Sequence, residues 1–359
     1  MSTGSELTVS APGRICLFGD HQDFLGLAVI AAAIDRQITI KGTPRDDQVI
    51  HIEMPDIDDS DSFNLQDTIP YRGQRDYLRS VVNVLRRQDI CWPHGFDCTI
   101  RGTIPINAGV SSSSALVIAW TLFLLAASDR SKTPDSVEIA RIGHASEVLE
   151  FNEPGGMMDH YTSSLGGIVY IDCHGDITID RLSIDLHGFV LGDSLEPKDT
   201  MGILKQSKAD ALSGWKLMKD HIEHFDFRTV TLEKAEPFLD DLPKYERNKV
   251  YANLVNWDIT CQAKNLLTDH VFDSNRLGSL INQHHAMLRD GIGVSTPQIE
   301  KMISAAHNAG ALGAKVNGSG GGGCMIAYAP GREEEVVEAI NDTGGKAEQV
   351  NIVRGAHIA

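Results

Sequence analysis

Small and hydroxyl-bearing residues crowd one stretch of this chain, Pro105-Ile106-Asn107-Ala108-Gly109-Val110-Ser111-Ser112-Ser113-Ser114-Ala115-Leu116. An apolar run follows directly and ends at Ala127. It contains neither Gly nor Pro and is long enough for a buried helix. Upstream, Gly95 to Ile100 alternates as a strand does. Strand, small-residue loop and helix start, in that order, aim backbone N–H groups and the positive end of a helix dipole at an anion. Gly109 and the serines Ser111, Ser112, Ser113 and Ser114 let a phosphate approach the main chain, and their hydroxyls can ligate Mg²⁺. The alternative is a serine-rich cap on a core helix. No lysine follows Gly109 where the Gly-x-x-x-x-Gly-Lys-Ser/Thr loop requires one.

Three further constellations carry chemistry. Arg14, Asp20, His21 and Asp23 fall within ten residues and are bounded by the apolar runs Ile15–Phe18 and Leu27–Ile34. Two β segments joined by a polar turn are expected there, with the charges either gathered for a site or incidental to a surface hairpin. Later, Glu147 precedes Glu153-Pro154-Gly155-Gly156-Met157-Met158-Asp159-His160. Pro-Gly-Gly stops one helix and opens another, with Asp159 in its first turn. A carboxylate there either complements the helix dipole or acts on a ligand. Finally, Ala314 to Tyr328 reads as strand, glycine loop, strand around Gly318-Ser319-Gly320-Gly321-Gly322-Gly323. Glycines at that density turn tightly or admit another backbone or a ligand; a plain flexible hairpin is the alternative.

The elements that must position these groups follow from pattern. Residues 45–70 are acidic and broken, as in hairpin loops at a sheet edge. Tyr77 to Arg87 has a helical period with Val81, Val82 and Leu85 inward, and Thr133-Pro134-Asp135 caps a helix through Ile139, Ile142 and Val148. Gly166 to Asp172 reads as a strand, and so does Phe189 to Ser194; a domain change is placed just before Phe189. Residues 203–290 are mainly helical by period. No solenoid-type repeat is evident.

Composition narrows the function. The chain has 359 residues, 42% hydrophobic and 23% charged, ordinary for a globular protein of two domains or one large one. Its net charge of −17 repels nucleic acid and anionic membrane. A phosphate-bearing ligand must therefore be held locally by N–H groups, a few cations and a metal. The 6 cysteines show no Cys-x-x-Cys pair and fit neither a zinc site nor a disulfide framework. No signal peptide or apolar run of spanning length is evident, so a cytoplasmic protein is expected.

Ala11–Gly26, Pro105–Leu116 and Val316–Cys324, in this order and at these separations, resemble the three motifs of the GHMP kinases. The resemblance covers roughly residues 9 to 330. It implies an α+β, two-domain fold: an N-terminal domain over 1–188 resembling the second domain of ribosomal protein S5, and a C-terminal ferredoxin-like α/β sandwich over 189–359. The active site would lie in the cleft between them. Within the family the likeness is to the galactokinase branch. Ala11-Pro-Gly-Arg14 with Gly19-Asp20-His21-Gln22-Asp23-Phe24 is similar to its Ala-Pro-Gly-Arg and Gly-Glu-His-Thr-Asp-Tyr signature, and Met158-Asp159-His160 to its Met-Asp-Gln segment. Asp20 stands in place of that Glu, and Phe24 in place of that Tyr. Glu196-Pro197-Lys198-Asp199 stands where that branch has Ser-Glu-Tyr. Lys198 is a cation for either a substrate carboxylate or a loop carbonyl, with the loop role favoured.

By the resemblance, ATP phosphates lie across Gly109 and Ser111–Ser114, and Gly320 and Gly321 support the nucleotide loop. Ser113 and Glu147 hold Mg²⁺. Asp159 is the catalytic carboxylate and Arg14 its partner toward the transferred phosphate. Asp20, His21 and Asp23 grip hydroxyls of a free monosaccharide, with the anomeric hydroxyl as the expected acceptor. The competing readings are a catalytically silent sugar- and ATP-binding regulator, a kinase for a polyol or mevalonate, and, more remotely, a decarboxylase of the same fold.

Overall fold

A computed structural model of the chain describes residues 6–65, 68–106, 108–130, 135–197 and 200–359. The chain opens with two long strands, β1 (Leu7–Phe18) and β2 (Val29–Pro44), then a hairpin of β3 (Val49–Met54) and β4 (Asp59–Asn64). Helix α1 (Tyr77–Arg86), strand β5 (Phe96–Gly102), helices α2 (Ser112–Ala126), α3 (Ser136–His144) and α4 (Met158–Leu165), and strands β6 (Ile168–Asp172) and β7 (Thr178–Leu182) follow. Then come β8 (Phe189–Asp193), α5 (Thr200–His221), α6 (Leu232–Leu239), α7 (Lys244–Thr268), α8 (Ser274–Ala286) and α9 (Pro297–Asn308). Strands β9 (Gly313–Val316) and β10 (Cys324–Tyr328), helix α10 (Glu333–Asn341), and strands β11 (Lys346–Val350) and β12 (His357–Ile358) complete it.

The strands form two sheets in an α+β arrangement. The first has 8 strands in the order β12-β1-β2-β5-β3-β4, with β6 and β7 continuing from β2; the second is β11-β8-β10-β9. The acidic hairpin β3–β4 forms an edge, as its broken pattern predicts. The change of sheet falls between Leu182 and Phe189. It does not hold to the end of the chain. Strand β12 pairs with β1 through Val9 and Ser10, and Ile352 and Arg354 bridge back to Ile34 and Gly166. The residues after Val350 thus belong to the first sheet, outside the unit expected over 189–359.

Helix α2 begins at Ser112, one turn before the apolar run, so the serines enter its first turn. It is apolar on every side because it is wrapped on every side. Trp120 and Phe123 stack inside it, and the Trp120 indole donates to the Leu78 carbonyl at 2.9 Å. One core cluster runs from Ile15 and Phe18 on β1 to Phe189, Leu191 and Ile326 in the second sheet and Leu277 on α8. The two sheets therefore share this cluster, while each also closes a core of its own: Val81, Trp120 and Phe123 pack on the first sheet, and Met302, Val336 and Ile340 on the second. Among the described residues, no helix is long and apolar enough to cross a membrane. The expected positions Asn107, Thr133, Pro134, Lys198 and Asp199 lie outside the described residues.

One buried ion pair crosses between the sheets. Lys315 on β9 donates to Asp20 at 2.7 Å and to the Cys16 carbonyl at 2.9 Å, with both charged side chains 0% exposed. A charge so deep is tolerated only when paired, and removing one partner costs about 3–5 kcal/mol. Lys315→Met should lower the urea-unfolding free energy by about that amount, and adding Asp20→Asn should restore part of it. A single mutant as stable as the parent would remove the pair from the account of the fold.

Candidate active site

The phosphate loop is held against β1. The Arg14 amide donates to the Val110 carbonyl at 3.2 Å, beside an irregularity in the β1–β2 register between Pro12 and Arg14. Such a bulge re-aims the side chain that follows it. Ser111 takes a left-handed backbone, φ 62°, and caps α2. The first bond of the helix runs from the Ala115 amide to the Ser111 carbonyl. The amides of Ser112, Ser113 and Ser114 accordingly have no partner within the helix, which is the arrangement that binds anions.

Arg14 ties this loop to Asp159 in the first turn of α4. Its Nε donates to Asp159 Oδ1 at 2.7 Å and its Nη1 to the Gly109 carbonyl at 2.6 Å. Burial works to raise the Asp159 carboxyl, but the charge and hydrogen bond of Arg14, with Ser111 beside it, outweigh burial and leave it below its ordinary value. Asp159 is therefore an ionised acceptor at the cleft.

Glu147 projects from a π-helical turn, Ala145–Leu149, that continues α3. It is buried and accepts from His160 Nε2 at 2.8 Å. Burial opposes its charge, yet His160 and the hydroxyls of Ser113 and Ser114 more than compensate and keep it ionised. An ionised carboxylate beside hydroxyls suits a hard cation. Among the described residues, no group of three or more His, Cys, Asp or Glu gathers as a metal site. A Mg²⁺ ion here would thus draw most of its oxygens from water and a bound phosphate.

The turn after β1 supplies the other wall. His21, at φ 62°, lies over the Ser319 carbonyl at 3.1 Å through Nε2, so that nitrogen carries the proton. Its Nδ1 is then a buried acceptor without a partner among the described residues. Burial pushes the ring down to about 4, so it is neutral. Asp23 accepts from the Phe24 amide at 2.9 Å. Burial, then the charge of Asp159, raise its carboxyl to about 6. Gly156 is required opposite, because a Cβ there would come within 1.7 Å of Asp23 Oδ2. Asp20 departs from its expected role. Its Oδ2 takes Lys315 and its Oδ1 the Gly318 amide at 2.8 Å, so it chiefly braces the glycine loop.

Arg14, Asp20, His21, Asp23 and Asp159 line one cleft of about 190 Å³ with Gly109, the four serines and Glu147. Gly320 and Gly321 do not line it. Cβ atoms on them would meet the Val294 carbonyl and the Ile203 side chain, so they pack the loop against its own domain. Gly318 and Ser319 line the cleft in their place. At φ +70°, Gly318 lies so close to Gly109 that a Cβ would come within 2.7 Å of its carbonyl. Sequence reading also missed Arg75, and Met201 and Leu204 on α5, and named Glu153 and His160 only as part of the Glu147–His160 constellation without a site role; all of them line the cleft. His160 adjoins Asp159 in the motif and could have been found there; Arg75 stands alone in a polar stretch and gave no signal.

With this geometry in view, comparison with known proteins gives three matches in order along the chain. They are the galactokinase galactose-binding signature over 2–44, the GHMP kinase N-terminal domain over 76–167 and the GHMP kinase C-terminal region over 264–346. The chain belongs to the GHMP kinase family. GHMP kinases are ATP-dependent, and the first match adds a galactokinase-type signature to this member. A mevalonate kinase of Thermococcus sibiricus is 29% identical over 346 residues, covering 94% of this chain and 93% of its own. A galactokinase of Actinobacillus succinogenes is 28% identical, covering 93% and 88%. The crystal structure of Lactococcus lactis galactokinase complexed with galactose shares the fold, with a TM-score of 0.86, 20% identity and coverage of 99% and 95%.

Two outcomes follow from the carboxylates of this GHMP kinase. Asp159→Asn should fold normally and lose turnover by roughly 10²–10⁴-fold, the range of general acid–base help; near-parental turnover would move the role elsewhere. Asp23 has a raised carboxyl, so it gains its proton as pH falls through about 6 and loses an acceptor for substrate. The acceptor-substrate kcat/KM should therefore decline below that pH, and Asp23→Asn should abolish the inflection.

Proposed function

We propose that the chain is an ATP-dependent kinase of a free monosaccharide, transferring the γ-phosphate to a hydroxyl, with the anomeric one expected. The observation that carries this reading is the Arg14 bridge, in which one guanidinium holds an ionised Asp159 at 2.7 Å and the Gly109 carbonyl of the phosphate loop at 2.6 Å. Phosphoryl transfer asks mainly for positioning and charge neutralisation. In this reading the amides of Ser112–Ser114 hold phosphate oxygens. Asp159 orients the attacking hydroxyl and receives its proton, and Arg14 keeps Asp159 ionised while facing the transferred charge. Ser113 and Glu147 hold Mg²⁺, which neutralises phosphate charge when bound.

On the acceptor side, His21 Nδ1, Asp23 and Asp159 offer acceptors for neighbouring hydroxyls, and Phe24, Met201 and Leu204 give apolar walls. With Asp20 occupied by Lys315, the hydroxyl grip rests on fewer groups than the sequence suggests. The galactose-binding signature supports a sugar, while the similarity to mevalonate kinases supports a smaller alcohol. A catalytically silent binding protein is disfavoured because Arg14, Glu147 and Asp159 are all present and engaged.

ATP consumption measured against galactose, other hexoses, a uronic acid, polyols and mevalonate separates the readings. A monosaccharide should give the highest kcat/KM, and excess chelator should abolish it. A site built to bond hydroxyls rejects analogues lacking them by about 10⁴. Turnover of mevalonate alone would overturn the sugar assignment, and turnover surviving chelation would overturn that of the metal.

A further inference from the structure

The cleft is richer in negative than in positive charge. Its described lining holds the carboxylates of Asp20, Asp23, Glu147, Glu153 and Asp159 against the arginines Arg14 and Arg75. A nucleoside triphosphate brings several more negative charges, so cations that can reach it matter. Arg14 is committed through Nε to Asp159 and through Nη1 to the Gly109 carbonyl. Arg75 is differently placed. It precedes Asp76, the cap of α1, and takes a left-handed backbone at φ 65° with its carbonyl accepting from the Tyr77 amide at 2.8 Å.

The Arg75 guanidinium is gripped along one edge. Nε and Nη2 donate to the two oxygens of Glu153 at 2.7 and 3.2 Å, and Glu153 is itself held by the Tyr77 hydroxyl at 3.1 Å. Nη1 makes no hydrogen bond among the described residues. The side chain is 45% exposed while Glu153 is 10% exposed, so the pair is anchored at its carboxylate end and open at the other. It lines the same cleft as Ser111–Ser114, and its charge interacts with that of Glu147. A planar fork fixed on one edge and free on the other is preorganised for phosphate oxygens, with little further entropy to lose.

We propose that Arg75 binds the polyphosphate of the nucleotide, supplying the cation that the phosphate loop lacks in its own sequence, with Glu153 and Tyr77 as its positioning residues. This rests on the phosphate loop being the ATP site. The GHMP kinase N-terminal match begins at residue 76, so Arg75 stands just outside the matched segment.

Equilibrium binding of ATP, ADP and adenosine to the full chain with Mg²⁺ tests this, using the parent, Arg75→Met and Arg75→Lys, with unfolding midpoints measured alongside. Arg75→Met should weaken ATP and ADP by roughly 10-fold or more and leave adenosine unchanged, and Arg75→Lys should recover part of the loss. Unchanged ATP affinity in Arg75→Met would overturn the proposal. An equal loss for adenosine would do the same by making Arg75 a purely structural brace. If the parent itself binds ATP no better than adenosine, it is the phosphate-loop reading that fails, and the proposal falls with it.

Discussion

The carbonyl oxygen of Gly109 is the contact on which the site depends. Arg14 Nη1 reaches it at 2.6 Å and Asn317 Nδ2 at 2.9 Å. Asn317 in turn accepts from the Cys16 amide at 2.8 Å. One acceptor thus fastens the first strand, the phosphate loop and the glycine loop together. The asparagine contacts are ordinary hydrogen bonds, worth about 1 kcal/mol net, and the charge-assisted one from Arg14 is worth about 1.5–3 kcal/mol. Their effect is geometric, because three segments that could each drift are referred to a single atom. The closeness of Gly318 is the steric counterpart of this node.

Charge is managed by depth as well as by pairing. The cleft of an already acidic protein gathers carboxylates and sorts them by partner. Asp20 is neutralised by Lys315, Asp159 by Arg14 and Glu153 by Arg75, while Glu147 rests on a histidine and hydroxyls. Asp23 forms no ion pair among the described residues, and burial beside Asp159 outweighs the more distant charge of Arg14 and raises it. Environments that push neighbouring carboxyls apart give them different tasks. Here one carboxylate is held ionised by Arg14, and its neighbour in the same cleft is raised to about 6.

Much of this was readable from local signals. The Pro-Gly-Gly break correctly put Asp159 in a first helical turn, and the order of strand, small-residue loop and apolar run gave α2 and its exposed amides. Period and cap signals found α1 and α3. What stayed hidden was long-range. Asp20 reads as a turn carboxylate free for ligand until Lys315, 295 residues later, is seen beside it. Gly320 and Gly321 are indistinguishable in sequence from Gly318, and only the neighbours Val294 and Ile203 show which glycines face inward to their domain. Arg75 lacks any periodic or motif context, and its partner Glu153 lies beyond an intervening strand and three helical segments.

The return of β12 to β1 has a consequence for the order of events during synthesis. The strand that presents Arg14 emerges early from the ribosome, but the residues that cover its outer edge emerge only after the whole second sheet. An uncovered strand edge is a template for unwanted pairing. Nascent chains at this stage expose that edge together with the unshielded half of the shared core. Domain-by-domain folding during synthesis, common for larger chains, would therefore leave the first sheet short of its last strand: the first sheet is completed last.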